Sequence, residues 1–210
     1  MNTEHVRKDD TNMAALIPMV IEREGNRERS MDLYSKLMEE RIIVVQGPVE
    51  SNMANIIKGQ LLFLEKEDPD RDIIMYIDSP GGEVITGMGI VDTMNYISCD
   101  VQTICFGMAA SMGSFILMQG AEGKRFCLPH SEIMVHQISS GTQGKFSDME
   151  RSFKHTERLN KMLRGEYVKR CGGTDALWEE RMDRDTWLTP QEAIEFGLID
   201  NIITTRNEAK

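Results

Sequence analysis

The sequence predicts a mixed α/β fold of repeated βαβ units around a parallel sheet. Three observations carry that prediction. β-Branched and apolar runs recur at Ile42-Ile43-Val44-Val45, at Asp72 to Ile77 and at Val101 to Phe106. Segments with helical spacing separate them: Met53, Ile56, Ile57, Leu61, Leu62 and Leu64 repeat at intervals of three and four. The connections are short and carry Gly and Pro, as strand–helix alternation in parallel sheets requires.

Composition narrows the function classes. With 210 residues the chain is large enough for a substantial single core, and 40% hydrophobic with 28% charged content is ordinary for a globular protein. A net charge of −10 argues against a nucleic-acid surface, which needs clustered Lys and Arg. Cys99, Cys105, Cys127 and Cys171 form no C-x-x-C pair and are expected to be reduced, buried thiols of a cytoplasmic protein. Met1 to Met13 is polar with no apolar core, unlike a secretory signal, and no apolar run approaches the ~20 residues of a membrane span. Sixteen methionines suit an irregular core and adaptable interfaces.

The elements follow in order. Residues 1–13 read as a disordered tail, Ala15 to Ile21 as an apolar patch that docks on something, and Gly25 to Ser30 as a polar loop. Asp32 to Met38 has helical spacing. Strand 42–45 closes at Gly47-Pro48, and Ser51 is positioned to cap the next helix, which Asp68-Pro69-Asp70 ends. Strand 72–77 runs into the turn Ser79-Pro80-Gly81-Gly82 and a helix from Glu83 to Ile97. Strand 101–106 runs into a helix headed by Ser111 and stopped at Gly120. Lys124 to Leu128 and Glu132 to Gln137 read as short strands. Ser147-Asp148-Met149-Glu150 reads as a capping box opening a long, mostly charged helix to about Lys169, projecting from the body or meeting a partner. Gly172-Gly173 stops it. A short helix spans Asp175 to Met182, Thr189-Pro190-Gln191-Glu192 is a capping box with Pro at the first helical position, and Ile199 to Ile203 is a last strand.

The chemistry centres on Gly107 to Ser114. Ala109-Ala110-Ser111-Met112-Gly113 is close to the nucleophile elbow G-x-S-x-G, with Ala in place of the first Gly. A serine at such a strand-to-helix turn exposes its hydroxyl, and the helix start offers free amides to an oxyanion. Taken alone, the stretch reads first as a small-residue helix start packed on a strand. Among the four histidines, His5 and His155 sit in polar segments, and His130 lies beside Pro129. His136 ends an apolar strand, where catalytic groups gather in α/β folds. His130, Glu132 and His136 share strand parity, but residues two apart in a strand are separated by roughly 6.6 Å and residues six apart by roughly 20 Å, and one ion with ~2 Å bonds cannot be held by such a line. A metal site is therefore not expected. Periodicity leaves the acid that would orient the histidine open among Asp183, Asp185 and Asp200. Gly81-Gly82, in a second strand–turn–helix unit, could add backbone amides at the same point. A phosphate loop is disfavoured, because no lysine follows the glycines.

Over about Ala15 to Ile203 the chain resembles the ClpP family, the proteolytic subunits of ATP-dependent Clp proteases. The motifs are Leu16 to Val20, Arg29-Ser30, Met53-Ala54-Asn55, Tyr76 to Gly82, Ala109 to Gly113, Lys124 to Pro129, Met134 to Gln137 and Asp183-Arg184-Asp185. The resemblance implies the ClpP/crotonase-like fold, with the helix after Ser147 as a protruding handle. It implies a serine endopeptidase with Ser111 as nucleophile, His136 as general base and Asp185 as the orienting acid. The backbone amides of Gly82 and Met112 would form the oxyanion hole. It implies a domain over 15–204 with the handle at about 138–170, a propeptide at 1–14 removed by self-cleavage, and a polar tail at 205–210. The family stacks two seven-membered rings into a chamber that degrades unfolded polypeptides in protein quality control. A hexameric AAA+ unfoldase of the ClpX, ClpA or ClpC type docks on it, near Tyr76, Tyr96 and Phe126. ATP is used by that partner, and no cofactor, nucleic acid or membrane is implied for this chain. The segment near Leu16 to Ile21 would line the axial pore. One departure falls at the segment that pairs with substrate and orders the handle: the family's Pro-x-Gly-Gly is here Ile138-Ser139-Ser140-Gly141. Two other readings remain on the same fold, a non-catalytic ring subunit and a crotonase-type acyl-CoA enzyme.

Overall fold

The computed structural model describes residues 17–24 and 27–209, which fall into two compact units divided between Glu40 and Arg41. The segment 1–14, expected to be a propeptide, lies outside the described residues.

The first unit is a hairpin and a short helix. β1 (Met19–Glu24) pairs antiparallel with β2 (Arg27–Asp32), and α1 spans Leu33–Glu39. The polar stretch from Arg27 to Ser30 is thus a strand and not a loop. The polar side chains of Glu28, Arg29 and Ser30 are tolerated because they are exposed and the backbone is paired by β1. Asp32 ends β2 and caps α1, its carboxylate accepting the Ser35 amide at 3.0 Å. Ile17, Met19 and Ile21 stand exposed in this unit.

The second unit is the α/β body. Its sheet runs β3 (Ile42–Gln46), β4 (Ile73–Ser79), β5 (Val101–Ala110), β6 (Arg125–Cys127) and β9 (Asn201–Ile202), all parallel. β4 alternates buried and half-buried residues, whereas Val101 to Cys105 is buried at every position. That is the pattern of a central strand covered on both faces. Helices α2 (Ser51–Glu67), α3 (Val84–Tyr96) and α4 (Met112–Met118) supply the crossovers. α2 turns Ala54, Ile57, Leu61 and Leu64 inward, whereas Ile56 and Leu62 of the apolar set read from sequence stand exposed, because they lie off the one face that meets the sheet.

β5 is ten residues long and serves two partners. Thr103 to Cys105 pairs with β6, and Met108 to Ala110 pairs with β7 (Glu132–Val135). β7 in turn pairs antiparallel with β8 (Thr186–Leu188), a strand absent from the sequence reading. Three residues ending at a helix cap carry too short a pattern to register as a strand.

The long helix α5 spans Phe146–Cys171, and α6 (Asp175–Arg181) and α7 (Pro190–Glu195) follow. Two expected caps are not made. α2 begins at Ser51 itself, with Glu50 in the cap position, and α5 begins after Lys145, neither with a side-chain cap. In both cases the cap position falls before the Ser, at Glu50 and at Lys145. Thr189 does form the reciprocal capping box with Glu192. In α5 only Leu163, Arg164 and Tyr167 are buried, while Phe146 and Phe153 in its first half are exposed. Arg164 ties α5 to α6 through Asp175 and Glu179. Tyr167 stacks on Trp178 of α6, with ring centroids 4.7 Å apart. All four cysteines are free thiols, and Cys99, Cys105 and Cys127 are buried. Among the described residues no helix is long and apolar enough to cross a membrane.

One buried ion pair locks β6 to the C-terminal strand. Asp200 Oδ2 accepts from the Arg125 amide at 2.9 Å and from its Nε at 3.0 Å, and Arg125 also donates to the Gly197 carbonyl. Burial pushes the Asp200 carboxyl up, but the Arg125 hydrogen bonds and charge outweigh it and hold the group below its ordinary value of 3.8. A carboxylate with a depressed folded pKa stabilises the fold above its unfolded pKa, and loses that contribution as pH falls through the folded value. Asp200→Asn should therefore destabilise the protein at pH 7, on the order of 3 kcal/mol, because Arg125 stays buried without its counter-ion. The difference from wild type should shrink as pH falls below about 4. Thermal unfolding of both proteins between pH 3 and pH 7 checks this.

Candidate active site

The site follows from strand register. β5 and β7 are parallel neighbours, so their C-terminal ends lie at one edge of the sheet. Ser111 follows β5, and its amide donates to the Met134 carbonyl of β7 at 2.9 Å. His136 directly follows β7. β8 runs antiparallel with Val135 opposite Thr186, so continuing the register by one residue sets His136 opposite Asp185. Three residues distant in sequence thus meet at one sheet edge.

Ser111 has φ 54° and ψ −119°, the strained geometry of a strand-to-helix elbow. Its side chain caps no amide of α4, so the hydroxyl is free for other contacts. His136 Nε2 lies 2.8 Å from Ser111 Oγ. His136 Nδ1 lies 3.0 Å from Asp185 Oδ1, and its N–H donates to that carboxylate when Nε2 faces Ser111 as an acceptor. The histidine side chain is 24% exposed and the aspartate 63% exposed. The other two acids left open by periodicity are engaged elsewhere. The Asp183 carboxylate lies 3.5 Å from Gln137 Nε2 and 3.5 Å from Arg184 Nε, and Asp200 is paired with Arg125.

The glycines lie beside the serine. β4 and β5 are adjacent and parallel, which brings the turn after β4 against the turn after β5. Gly81 has φ +88°, and a Cβ there would lie 2.7 Å from both the Met112 amide nitrogen and Ser111 Cβ. No side chain fits between the two turns. Val49 accepts the Glu83 amide at 2.9 Å and donates to the Gly81 carbonyl at 2.8 Å. In a parallel bridge of this kind the amide of the intervening residue, Gly82, faces away from Val49. Met112 is the first residue of α4, and its amide has no partner within the helix. The Met112 amide thus starts unpaired at the elbow, and the Gly82 amide faces away from Val49.

A cleft of about 210 Å³ opens over these groups. Pro80, Gly82, Ser111, Met112 and His136 form one side, and Phe115, Leu163, Tyr167 and Met182 give it an apolar wall. Ile138 and Ser139, in the segment that departs from the family motif, also line it. The Ile138 amide donates to Asn160 Oδ1 on α5 at 3.3 Å. The apolar wall was not legible in sequence, since the α5 and α6 residues sit within ordinary helical patterns.

The remaining residues singled out from sequence are dispersed. His130 and Glu132 are exposed, as is His155 on α5. Among the described residues, no group of three or more His, Cys, Asp or Glu side chains is arranged to hold a metal ion. Phe126 is buried with Ile104 and Ile203, and Tyr76 packs against that cluster. Tyr96 is exposed at the end of α3, outside the cluster.

The model of the Clp protease family matches residues 25–206. That span holds the whole parallel sheet, the elbow at Ser111, His136 and the β8 strand beside Asp185. The chain accordingly has the ClpP fold and belongs to the Clp protease family of ClpP-type peptidases.

Proposed function

We propose that this chain is a serine endopeptidase that cleaves unfolded polypeptides through Ser111, His136 and Asp185. The observation that carries this reading is the unbroken contact from Ser111 Oγ through both ring nitrogens of His136 to Asp185 Oδ1.

His136 Nε2 takes the Ser111 proton as Oγ bonds to the scissile carbonyl carbon. The carbonyl π pair moves onto oxygen, and the oxyanion lies against the amides of Gly82 and Met112. The imidazolium, held by Asp185, then gives its proton to the leaving amine. Water, deprotonated by His136, attacks the acyl carbon; the bond to Oγ then breaks, the imidazolium returns its proton to Ser111 Oγ, and the second product leaves as the acid. Every step is a proton transfer or acyl transfer, so no cofactor is needed for this chain. The apolar wall of the cleft receives a side chain next to the scissile bond, and the exposed backbone of 137–139 pairs with the peptide.

The proposal extends to assembly. Two stacked heptameric rings would enclose these clefts, with the exposed half of α5 at the ring–ring contact. A hexameric AAA+ unfoldase would deliver chains in the cytoplasm and spend the ATP. Tyr76, Tyr96 and Phe126 are proposed to lie near the pockets where it docks, with Phe126 buried beneath them.

Treating the purified protein with a fluorophosphonate tests the reading. Stoichiometric phosphonylation of Ser111, with matching loss of fluorogenic-peptide hydrolysis and a native mass of fourteen chains, is the expected result. An inactive, unlabelled ring would instead assign the chain a structural role.

A further inference from the structure

The hydroxyl of Ser114 lies next to the candidate nucleophile, yet the mechanism above does not use it. Ser114 is fully buried in α4. Its Oγ donates to the Ser111 carbonyl oxygen at 2.8 Å, and the Phe115 amide donates to the same oxygen at 3.1 Å. A serine hydroxyl has one hydrogen. With that hydrogen on the carbonyl, the 3.4 Å contact between Ser114 Oγ and the Tyr167 hydroxyl is donated by the tyrosine. Tyr167 is buried on α5, and burial pushes its phenol pKa up, so the donor stays protonated. A polar line therefore runs from α5 through Ser114 to the backbone of Ser111.

The Ser111 carbonyl and the Met112 amide are two ends of one planar peptide unit. Whatever holds the carbonyl also sets where the Met112 N–H points. Ser111 lies outside the ordinary backbone wells, so local preference does not fix that plane and surrounding contacts must. A serine bonding back to the carbonyl three residues earlier is a common way to satisfy a first-turn acceptor. Here the Phe115 amide already satisfies it, and the line continues beyond the helix to Tyr167.

We propose that Ser114, held by Tyr167, is a positioning residue that aims the Met112 amide at the oxyanion. The proposal rests on the assignment of Ser111 and Met112 made above. Its effect belongs to the transition state, because the ground-state carbonyl needs the amide less. Losing an oxyanion donor outright costs roughly 10²–10³ in rate, and a donor kept but loosened should cost about tenfold.

The test compares peptide-hydrolysis kinetics with inhibition by a peptide aldehyde and by the alcohol of the same sequence, using the assembled full-length protein. The aldehyde forms a hemiacetal: Ser111 Oγ bonds to its carbonyl carbon, the serine proton passes to His136, and the oxygen enters the hole. The alcohol binds without that bond. Ser114→Ala should lower kcat about tenfold and raise the aldehyde Ki by a similar factor. KM and the alcohol Ki should stay within about twofold of wild type. Ser114→Thr, which keeps the hydroxyl, should restore most of kcat. The double variant Ser114→Ala, Tyr167→Phe leaves no orphaned phenol and should remain as slow as Ser114→Ala. Unchanged kcat and aldehyde Ki in Ser114→Ala would overturn the proposal. So would equal weakening of both inhibitors, or recovery of wild-type kcat in the double variant. Failure of the underlying assignment has a separate signature: Ser111→Ala would then hydrolyse peptide as fast as wild type, whatever the Ser114 variants do, and the proposal falls with it.

Discussion

Ser111→Ala is expected to lower peptide hydrolysis by roughly 10⁶-fold while leaving assembly mass and thermal stability unchanged. Activity should vanish because Ser111 Oγ, 2.8 Å from His136 Nε2, is the proposed nucleophile. Structure should survive for two reasons. The hydroxyl caps no amide of α4, so the helix loses nothing. Alanine has the same Cβ as serine, so the strained φ of 54° costs both residues alike. The Ser111 amide bond to Met134 is a backbone contact and is retained. The measurement is fluorogenic-peptide turnover over a wide range of enzyme concentration, beside native mass and thermal unfolding on the same samples. Residual activity within tenfold of wild type would remove Ser111 from the mechanism.

Asp185→Asn should reduce kcat by about 10⁴-fold, the second largest effect. The carboxylate accepts the Nδ1 proton of His136, which leaves Nε2 bare toward Ser111. An asparagine amide can instead donate to Nδ1, and the proton then sits on Nε2. That tautomer points a hydrogen at Ser111 Oγ and has no lone pair to take the serine proton. The side chain is 63% exposed, so water reaches the carboxylate, and the loss should fall at or below that figure. Asp183→Asn is the control. Its main contact with the site is a backbone carbonyl bond to Gln137, so kcat should change less than about threefold. Equal losses in the two variants would point to a structural effect of the Asp183-Arg184-Asp185 segment and not to a triad acid.

On the proposed function, the departure at Ile138-Ser139-Ser140 would bear on how substrate is held and not on the chemical groups. Strand pairing uses backbone amides and carbonyls, which a side-chain change leaves in place. The Ile138 amide is taken by Asn160 on α5, which ties this segment to the long helix.

The sequence alone determined the parallel α/β body. Period-two and period-3.6 patterns are imprinted by burial, and β4, β5, α2 and α3 are long enough to carry them. It also marked Ser111, because a strained elbow tolerates only small neighbours, and Gly81-Gly82, because two turns in contact leave no room for a Cβ. Local polarity misled at Arg27 to Ser30, where pairing with β1 decides the conformation. It misled again at Ser51 and Ser147, where the helices begin without their hydroxyls. Periodicity left Asp183, Asp185 and Asp200 open, the family resemblance named Asp185, and only the tertiary structure shows why that residue can sit beside His136. That placement depends on β8, three residues whose antiparallel register with β7 brings Asp185 opposite His136. The apolar wall from α5 and α6 and the line from Tyr167 to Ser111 were decided in the same way. Local sequence records how each segment meets water and itself, whereas contacts between segments far apart exist only once the chain has folded.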